Sequence, residues 1–260
     1  MTFRDDALAG QHILISGGCG AIGLTVVKTL TDHGASLSVN DVLDPAEAKQ
    51  RLDSSGIRPD RVTYIQADLT HKPEVLAYLQ AARERFGPIH TALCHAGMVI
   101  ATPLVDYDEA VYDRLMEVNL KAAFLMAQAT ARGMLADGIK GHLIFTTSWV
   151  AETPWPSIGP YSASKAAMNQ LMRTFARELA GTGIRANAMA PGIVNAGMAK
   201  RQWETEPDYR ARAQKAIPLG FMQPPESVAD AFLFLCSPAA SYMTGSVLTV
   251  DGGCSLYPMD

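Results

Sequence analysis

The pattern that most limits how this chain can fold is an alternation. Short apolar runs occupy residues 12–16 (HILIS), 36–41 (SLSVND), 62–69 (VTYIQADL), 90–97 (HTALCHAG), 141–148 (GHLIFTTS), 184–192 (IRANAMAPG) and 247–253 (VLTVDGG). Helical patterns lie between them, over 22–33, 73–86, 109–135 and 161–180, with Gly34 placed as a C-cap after the first. Apolar runs of this kind are strands covered on both faces, and strand–helix–strand succession builds a parallel sheet. Right-handed crossovers then wind the helices onto both sides, giving a doubly wound, Rossmann-like α/β fold of three layers. No linker, repeat or low-complexity tract interrupts the chain, so one domain over 1–260 is expected. Only 193–225 breaks the rhythm. It is long, charged and punctuated by proline, and reads as a substrate lid inside that domain.

Composition excludes several function classes. Of 260 residues, 48% are hydrophobic, enough for a large core, and the net charge is −4 with no long basic run. Nucleic acid and anionic membranes are therefore poor partners. No stretch reaches the about 18 apolar residues of a membrane span, and the polar first ten residues are not a secretory signal. Four scattered cysteines without a C-x-x-C, and six dispersed histidines, give no zinc or disulfide framework. The expectation is a cytoplasmic protein without a metal, acting on a small molecule.

The turn after the first strand, "SGGCGAIG", holds four glycines in eight residues. Gly18, Gly20 and Gly23 match G-x-G-x-x-G. Gly17 and Gly23 match a second spacing, G-x-x-x-G-x-G, with Ala21 where its middle glycine belongs. Either way the loop joins a strand to a helix, where backbone N–H groups and the helix dipole receive a pyrophosphate. A lone glycine motif is weak evidence; an acidic residue about 20 positions on strengthens it. Asp41 is that residue. Its carboxylate accepts ribose hydroxyls and repels a 2′-phosphate, and no Arg or Lys stands in the loop or next to Asp41 in the sequence, which favours NAD over NADP. Asp68 either meets the adenine edge or caps a turn. His95 either touches cofactor or satisfies neighbouring backbone.

Tyr161 and Lys165 in "YSASK" are four apart on one helix face, beyond a strand tipped by Ser148. With these residues in view, the chain resembles the short-chain dehydrogenase/reductase family from about residue 8 to 253. The matching pieces are ISGGCGAIG, ND at 40–41, ADL at 67–69, HAG at 95–97, EVNL at 117–120, Ser148, YSASK, RANAMAPG and TGSVLTVDGG. The resemblance implies a catalytic tetrad of Asn119, Ser148, Tyr161 and Lys165. It also implies cofactor contacts from Gly17, Cys19, Gly20, Ala21, Ile22 and Gly23, from Asp41 and Val42, and from Asp68 and Leu69. His95, Ala96, Gly97, Tyr161, Lys165, Pro191, Gly192 and Val194 complete that set. It assigns the glycine loop to the spacing anchored on Gly17 and Gly23.

In the implied chemistry Tyr161 takes a proton from a substrate hydroxyl while hydride passes to a nicotinamide, and the reverse holds for reduction. A phenol of ordinary pKa, about 10, is too weak a base near neutrality. The Lys165 ammonium and the nicotinamide cation are expected to lower it. Ser148 holds the reacting oxygen, Lys165 the nicotinamide ribose, and Asn119 a water at a helix irregularity. This chain departs from the family at Ala21, at His95 in place of Asn, and at Ala196 in place of a threonine, where Asn195 is a candidate substitute.

The loop WVAETPWPSIGP resembles that of sugar 1-dehydrogenases, with Trp149 and Trp155 to stack on a sugar, Glu152 to bind its hydroxyls, and Trp203 in the lid. NAD-dependent oxidation of a sugar or polyol is the leading expectation. A 3-oxoacyl-type or other ketone reductase is the alternative. Lys200, Arg201, Arg210, Arg212 and Lys215 raise an anionic substrate, and a non-catalytic NAD-binding sensor is a further class. The family resemblance also implies a homotetramer, with the CSLYPMD terminus packed on a neighbour.

Overall fold

In the computed structural model, residues 3–256 are described. Seven strands, β1 (His12–Ser16), β2 (Ser36–Asp41), β3 (Val62–Gln66), β4 (Thr91–Cys94), β5 (His142–Thr146), β6 (Arg185–Pro191) and β7 (Val247–Val250), form one parallel sheet. Its order is β3-β2-β1-β4-β5-β6-β7. The order reverses between β1 and β4, the point where such sheets open a crevice at their carboxyl edge. The expected single α/β domain is what forms.

Side-chain parity divides the core. Ile13 and Ile15 of β1, Leu37 and Val39 of β2, and Ile144 of β5 face one cluster with α1 (Gly23–Asp32), α2 (Pro45–Ser54) and α9 (Pro225–Cys236). Leu14, Ala92, Leu143 and Phe145, offset by one residue, face the other with α3 (Lys72–Phe86), α5 (Ala122–Asp137) and α6 (Gly159–Leu179). Successive strand side chains point to opposite faces, so wholly apolar strands serve both layers. Burial empties these strands of water, at roughly 25 cal/mol per Å² of apolar surface removed.

Several expected boundaries shift, each for a local reason. β3 ends at Gln66, because Asp68 turns the chain by accepting the Thr70 N–H at 3.0 Å. The helix expected over 109–135 is two helices, α4 (Glu109–Met116) and α5, joined by a π-helical turn at Glu117–Lys121. Residues 193–225 are not an irregular loop but carry α7 (Gly197–Thr205) and α8 (Pro207–Ala216). Two helices were not expected from pattern. α2, capped by Asp44, buries only Ala48 and Leu52, too narrow a stripe to show. α9 is nearly continuous in apolar residues and lacks a polar face. The CSLYPMD expectation lies partly outside the described residues, since 257–260 are not described. Among the described residues no helix is long and apolar enough to cross a membrane.

Histidines crowd the amino ends of the strands. The His12 N–H donates to His90 Nδ1 at 3.1 Å, and His12 Nε2 meets Ser38 Oγ at 3.0 Å. His142 Nε2 meets Asn187 Nδ2 at 2.8 Å, and burial, with Arg185 adding, pushes its pKa down to about 3. Burial lowers His12 as well. An unfolded histidine binds its proton near pH 6.5, so between about 6.5 and 3 the unfolded chain holds more protons than the folded one. This contribution to stability is fully present above about pH 6.5 and is lost as the pH falls toward 3. The urea midpoint therefore drops from about pH 7.5 to about pH 4.5, and His142→Gln, which keeps an acceptor for Asn187, flattens that slope. An identical slope in the variant removes His142 from this account.

Candidate active site

The carboxyl ends of β1, β2, β4, β5 and β6 open onto one cleft of ≈ 810 Å³. At its centre lies the glycine loop. Gly17 has φ +68°, and a Cβ there would sit 2.8 Å from Ala96 Cα, beyond β4. A Cβ on Gly23 would run into the Gly17 carbonyl oxygen. Gly20 is less constrained, its nearest neighbour being the same oxygen at 3.3 Å from a Cβ. The loop is thus anchored on Gly17 and Gly23. Ala21 faces the cleft with its methyl 3.9 Å from the Cβ position of Gly197, where α7 begins, so the missing middle glycine is accommodated. Gly20, Ala21 and Ile22 present their backbone to the cleft at the start of α1. That is a cradle a pyrophosphate fits.

Asp41 ends β2 on the same wall. Its carboxylate accepts the N–H of Cys19 at 3.3 Å and of Val42 at 2.9 Å. The Cys19 side chain is fully buried in the core and its N–H and carbonyl are held by Asp41 and Arg51, so the contact expected at Cys19 is not one the cleft wall offers. Gly23 likewise lies beneath the cleft wall. Asp68 accepts from Thr70 and pairs with Arg114 Nη2 at 3.1 Å, which makes it a turn cap and ion-pair partner at the cleft wall. Leu69, Ala96, Gly97, Pro191, Gly192 and Val194 all line the cleft. Asn195 does not; it is exposed, while Ala196 is on the wall.

The structure brings the four tetrad residues together. Asn119 is buried inside the π-helical turn; its Oδ1 accepts from Met98 N at 2.8 Å, and its Nδ2 donates to Met98 O at 2.9 Å and Ser164 Oγ at 3.1 Å. The extra residue of that turn aims a polar side chain inward. Lys165, 2% exposed, donates from Nζ to the Thr146 carbonyl at 2.8 Å. Gly97 separates Asn119 and Lys165 from the cleft: its Cβ position is 3.4 Å from both Asn119 Oδ1 and Lys165 Nζ. Burial lowers Lys165 to about 8. Ser148 stands at the tip of β5, facing Tyr161 on α6, and both line the cleft.

Burial raises Tyr161, outweighing the Ser148 hydrogen bond that favours the phenolate. The Lys165 ammonium lies 5.5 Å from the phenol ring centroid and is engaged by Thr146. His95 meets the Thr146 hydroxyl through Nδ1 at 3.0 Å and packs edge-on against Phe232. Burial and Lys165 hold it near 4, so it is neutral.

At the far end Trp149, Trp155, Ile158, Met198 and Tyr209 wall the cleft. Trp155 packs edge-on against Trp149 at 5.3 Å and Tyr209 at 6.2 Å, with the Arg212 guanidinium 5.7 Å from its centroid. Trp203 packs on the outside of this cluster and is not on the wall, and Glu152 is exposed. None of the basic residues expected to greet an anion lines the cleft. Among the wall residues that carried no sequence signal are Arg114, Tyr209 and Arg51. Arg51 lies on α2, and its Nη1 reaches the Cys19 carbonyl of the glycine loop, a cation brought to the Asp41 end of the cleft from outside the loop and strand. Among the described residues no cluster of His, Cys, Asp or Glu has the grouping of a metal site.

The family profile described as Enoyl-(Acyl carrier protein) reductase matches residues 18–255. The 3beta-hydroxysteroid dehydrogenase 1 of Eggerthella lenta is 31% identical over 253 residues, 97% of each chain. The 3alpha-hydroxysteroid dehydrogenase of Mediterraneibacter gnavus is 34% identical over 251 residues, 94% of this chain and 97% of that one. The structure of 3-ketoacyl-(acyl-carrier-protein) reductase from Brucella melitensis complexed with NADH superposes with a TM-score of 0.85 at 28% identity, covering 96% of this chain and 100% of that one. A strand-order reversal with a glycine loop, Ser148 and Tyr161 on the wall and Lys165 behind Gly97 is the arrangement of a nicotinamide-dependent oxidoreductase of hydroxyl or keto groups. The chain belongs to the short-chain dehydrogenase/reductase family.

The two glycine spacings make different demands. Gly17→Ala forces a left-handed alanine against Ala96 and costs at least about 1–2 kcal/mol. Gly20→Ala meets one tight contact, 3.3 Å from the Gly17 carbonyl oxygen, without a left-handed backbone, and costs less. Urea denaturation of both variants checks this, and a greater loss at Gly20 would refute the Gly17–Gly23 anchoring.

Proposed function

We propose that this chain is an NAD-dependent dehydrogenase that interconverts a secondary alcohol and a ketone. The observation that carries the reading is the convergence of Ser148 and Tyr161 on one wall, with Lys165 and Asn119 directly behind Gly97. The nicotinamide, when bound, supplies the hydride acceptor or donor. Tyr161 moves the proton at the substrate oxygen, and Ser148 donates a hydrogen bond to the same oxygen. Asn119 fixes the Met98 segment that closes the wall over Lys165. Asp41 is the support for NAD over NADP, and the NADH held by the Brucella reductase is consistent with it. A pure sensor would have no use for a buried ammonium behind a phenol, since burying that charge is costly.

For the substrate, the walls favour an uncharged alicyclic alcohol with an apolar body. The charged side chains of the cleft, Asp41, Arg51, Asp68 and Arg114, all belong to its β2–β3 end. Around Tyr161 the wall is Trp, Ile, Met and Tyr, with Gln202 as the added amide. A polyol buried there would leave hydroxyls without partners, at about 1–3 kcal/mol each. The two hydroxysteroid dehydrogenase relatives support this reading. The second reading, a sugar or polyol, rests on Trp149 and Trp155 at the wall, although packing already engages Trp155. Residues 193–225 serve as the lid in either case, through Met198, Ala199, Gln202 and Tyr209.

NADH formation followed across a panel of hydroxysteroids, cyclic alcohols, aldoses and polyols tests both readings. Turnover confined to aldoses and polyols would overturn the alicyclic one. Tyr161→Phe removes the proton carrier and lowers kcat by about 10²–10⁴-fold; full-rate turnover in that variant would sink the mechanism.

We also propose a homotetramer. An open groove between α4–α5 and α6, lined by Met116, Leu120, Phe124 and Leu171, is the supporting surface. Light scattering at four times the 27.9 kDa chain mass checks it.

A further inference from the structure

The adenosine end of the cleft holds a cation that the sequence does not announce. Arg51, on the last turn of α2, donates from Nη1 to the Cys19 carbonyl at 3.3 Å. The N–H of that same residue donates to Asp41 Oδ2, also at 3.3 Å. Asp41 and Arg51 therefore hold the two polar groups of Cys19, and both line the cleft. Glu47, one turn earlier, holds Arg51 Nη2 at 2.6 Å. A guanidinium has five N–H donors, so three remain after these two bonds. The side chain is 44% exposed, so those donors are reachable. Arg114, the other cation of this end, is committed to Asp68 and Thr70.

We propose that Arg51 is a latent 2′-phosphate contact, and that Asp41 alone keeps the site selective for a nucleotide without one. This rests on the nucleotide reading of the cleft. A phosphate monoester brings close to two negative charges, which Asp41 repels across the ribose. The same phosphate would find the planar donor fork of Arg51 already positioned by Glu47 and Cys19. Cofactor choice in this chain is then a balance between one carboxylate and one guanidinium, not the absence of a cation.

Calorimetric titration with 5′-AMP and 2′,5′-ADP tests this without any turnover. The wild type binds 5′-AMP more tightly than 2′,5′-ADP. Asp41→Ser, which keeps an acceptor for the Cys19 N–H, gains about 10- to 100-fold in 2′,5′-ADP affinity. Adding Arg51→Ala removes that gain and Arg51→Lys in its place keeps part of it; Asp41→Ser itself weakens 5′-AMP by losing the ribose acceptor, so the control for an intact site is 5′-AMP affinity within about threefold between Asp41→Ser and its two Arg51 double variants. The gain also shrinks as salt is raised, as an exposed charge contact does. A gain that survives Arg51→Ala, or no gain in Asp41→Ser with 5′-AMP still bound, overturns the proposal. Failure of the wild type to bind 5′-AMP at all overturns the nucleotide reading, and the proposal with it.

Discussion

The contact on which the site depends is backbone against backbone: Gly17 beyond β1 packed onto Ala96 beyond β4. Neighbouring parallel strands run side by side, and at this pair the connections depart in opposite directions. The opening between them is the only place where a ligand can reach both halves of the sheet's carboxyl edge. A side chain at Gly17 would force the two turns apart. Ser16 ties the same junction from below, its hydroxyl accepting the N–H groups of His95 and Ala96, each at 3.0 Å. The glycine loop, the wall at Gly97 and the lysine behind it all take their positions from that closure.

At and behind this wall, Tyr161 and Lys165 pose a problem in burial. A lysine 2% exposed has no carboxylate beside it; its hydrogen bond is to a carbonyl, and its pKa falls to about 8. Tyr161 is pushed the opposite way. Each group is thereby held toward its neutral form, and an adjoining charge can shift either at little cost in reorganisation. His95 belongs to this arrangement. It is kept neutral and bonded to the hydroxyl of Thr146, the residue whose carbonyl receives Lys165. A protonated histidine there would add a second cation to a buried ammonium.

What could be read in the sequence follows from periodicity and from fixed spacing. The seven strands were visible as short apolar-rich runs between helical patterns, and Tyr161 with Lys165 because four residues make about one helical turn. The irregularity at Asn119 was legible only through family resemblance, since a π-helical turn has no period of its own. Arg51 was invisible for a different reason. It sits in a helix whose buried stripe is two residues, and its meaning arises from α2 folding back over the glycine loop. The roles of Trp203 and Glu152 misled because aromatic and acidic residues near a catalytic tyrosine look alike whether they face the cleft or its outer shell.

The approach to Tyr161 shows how the chain fixes this side chain through its backbone. Ser157, four residues before it, is the one non-glycine with positive φ among the described residues, at 68°. That conformation costs roughly 1–2 kcal/mol. It persists because its neighbours over-determine it: the Ser157 carbonyl accepts the Thr102 N–H at 2.7 Å, and Leu104 lies so close to Gly159 that a Cβ there would sit 2.9 Å from its Cγ. The segment following Gly97 is thus stitched to the start of α6, and α6 carries Tyr161 in its first turn. Any movement of the phenol must drag both segments with it. The strain is local, the restraint is distributed, and the phenol is held chiefly by the stiffness of its first helical turn.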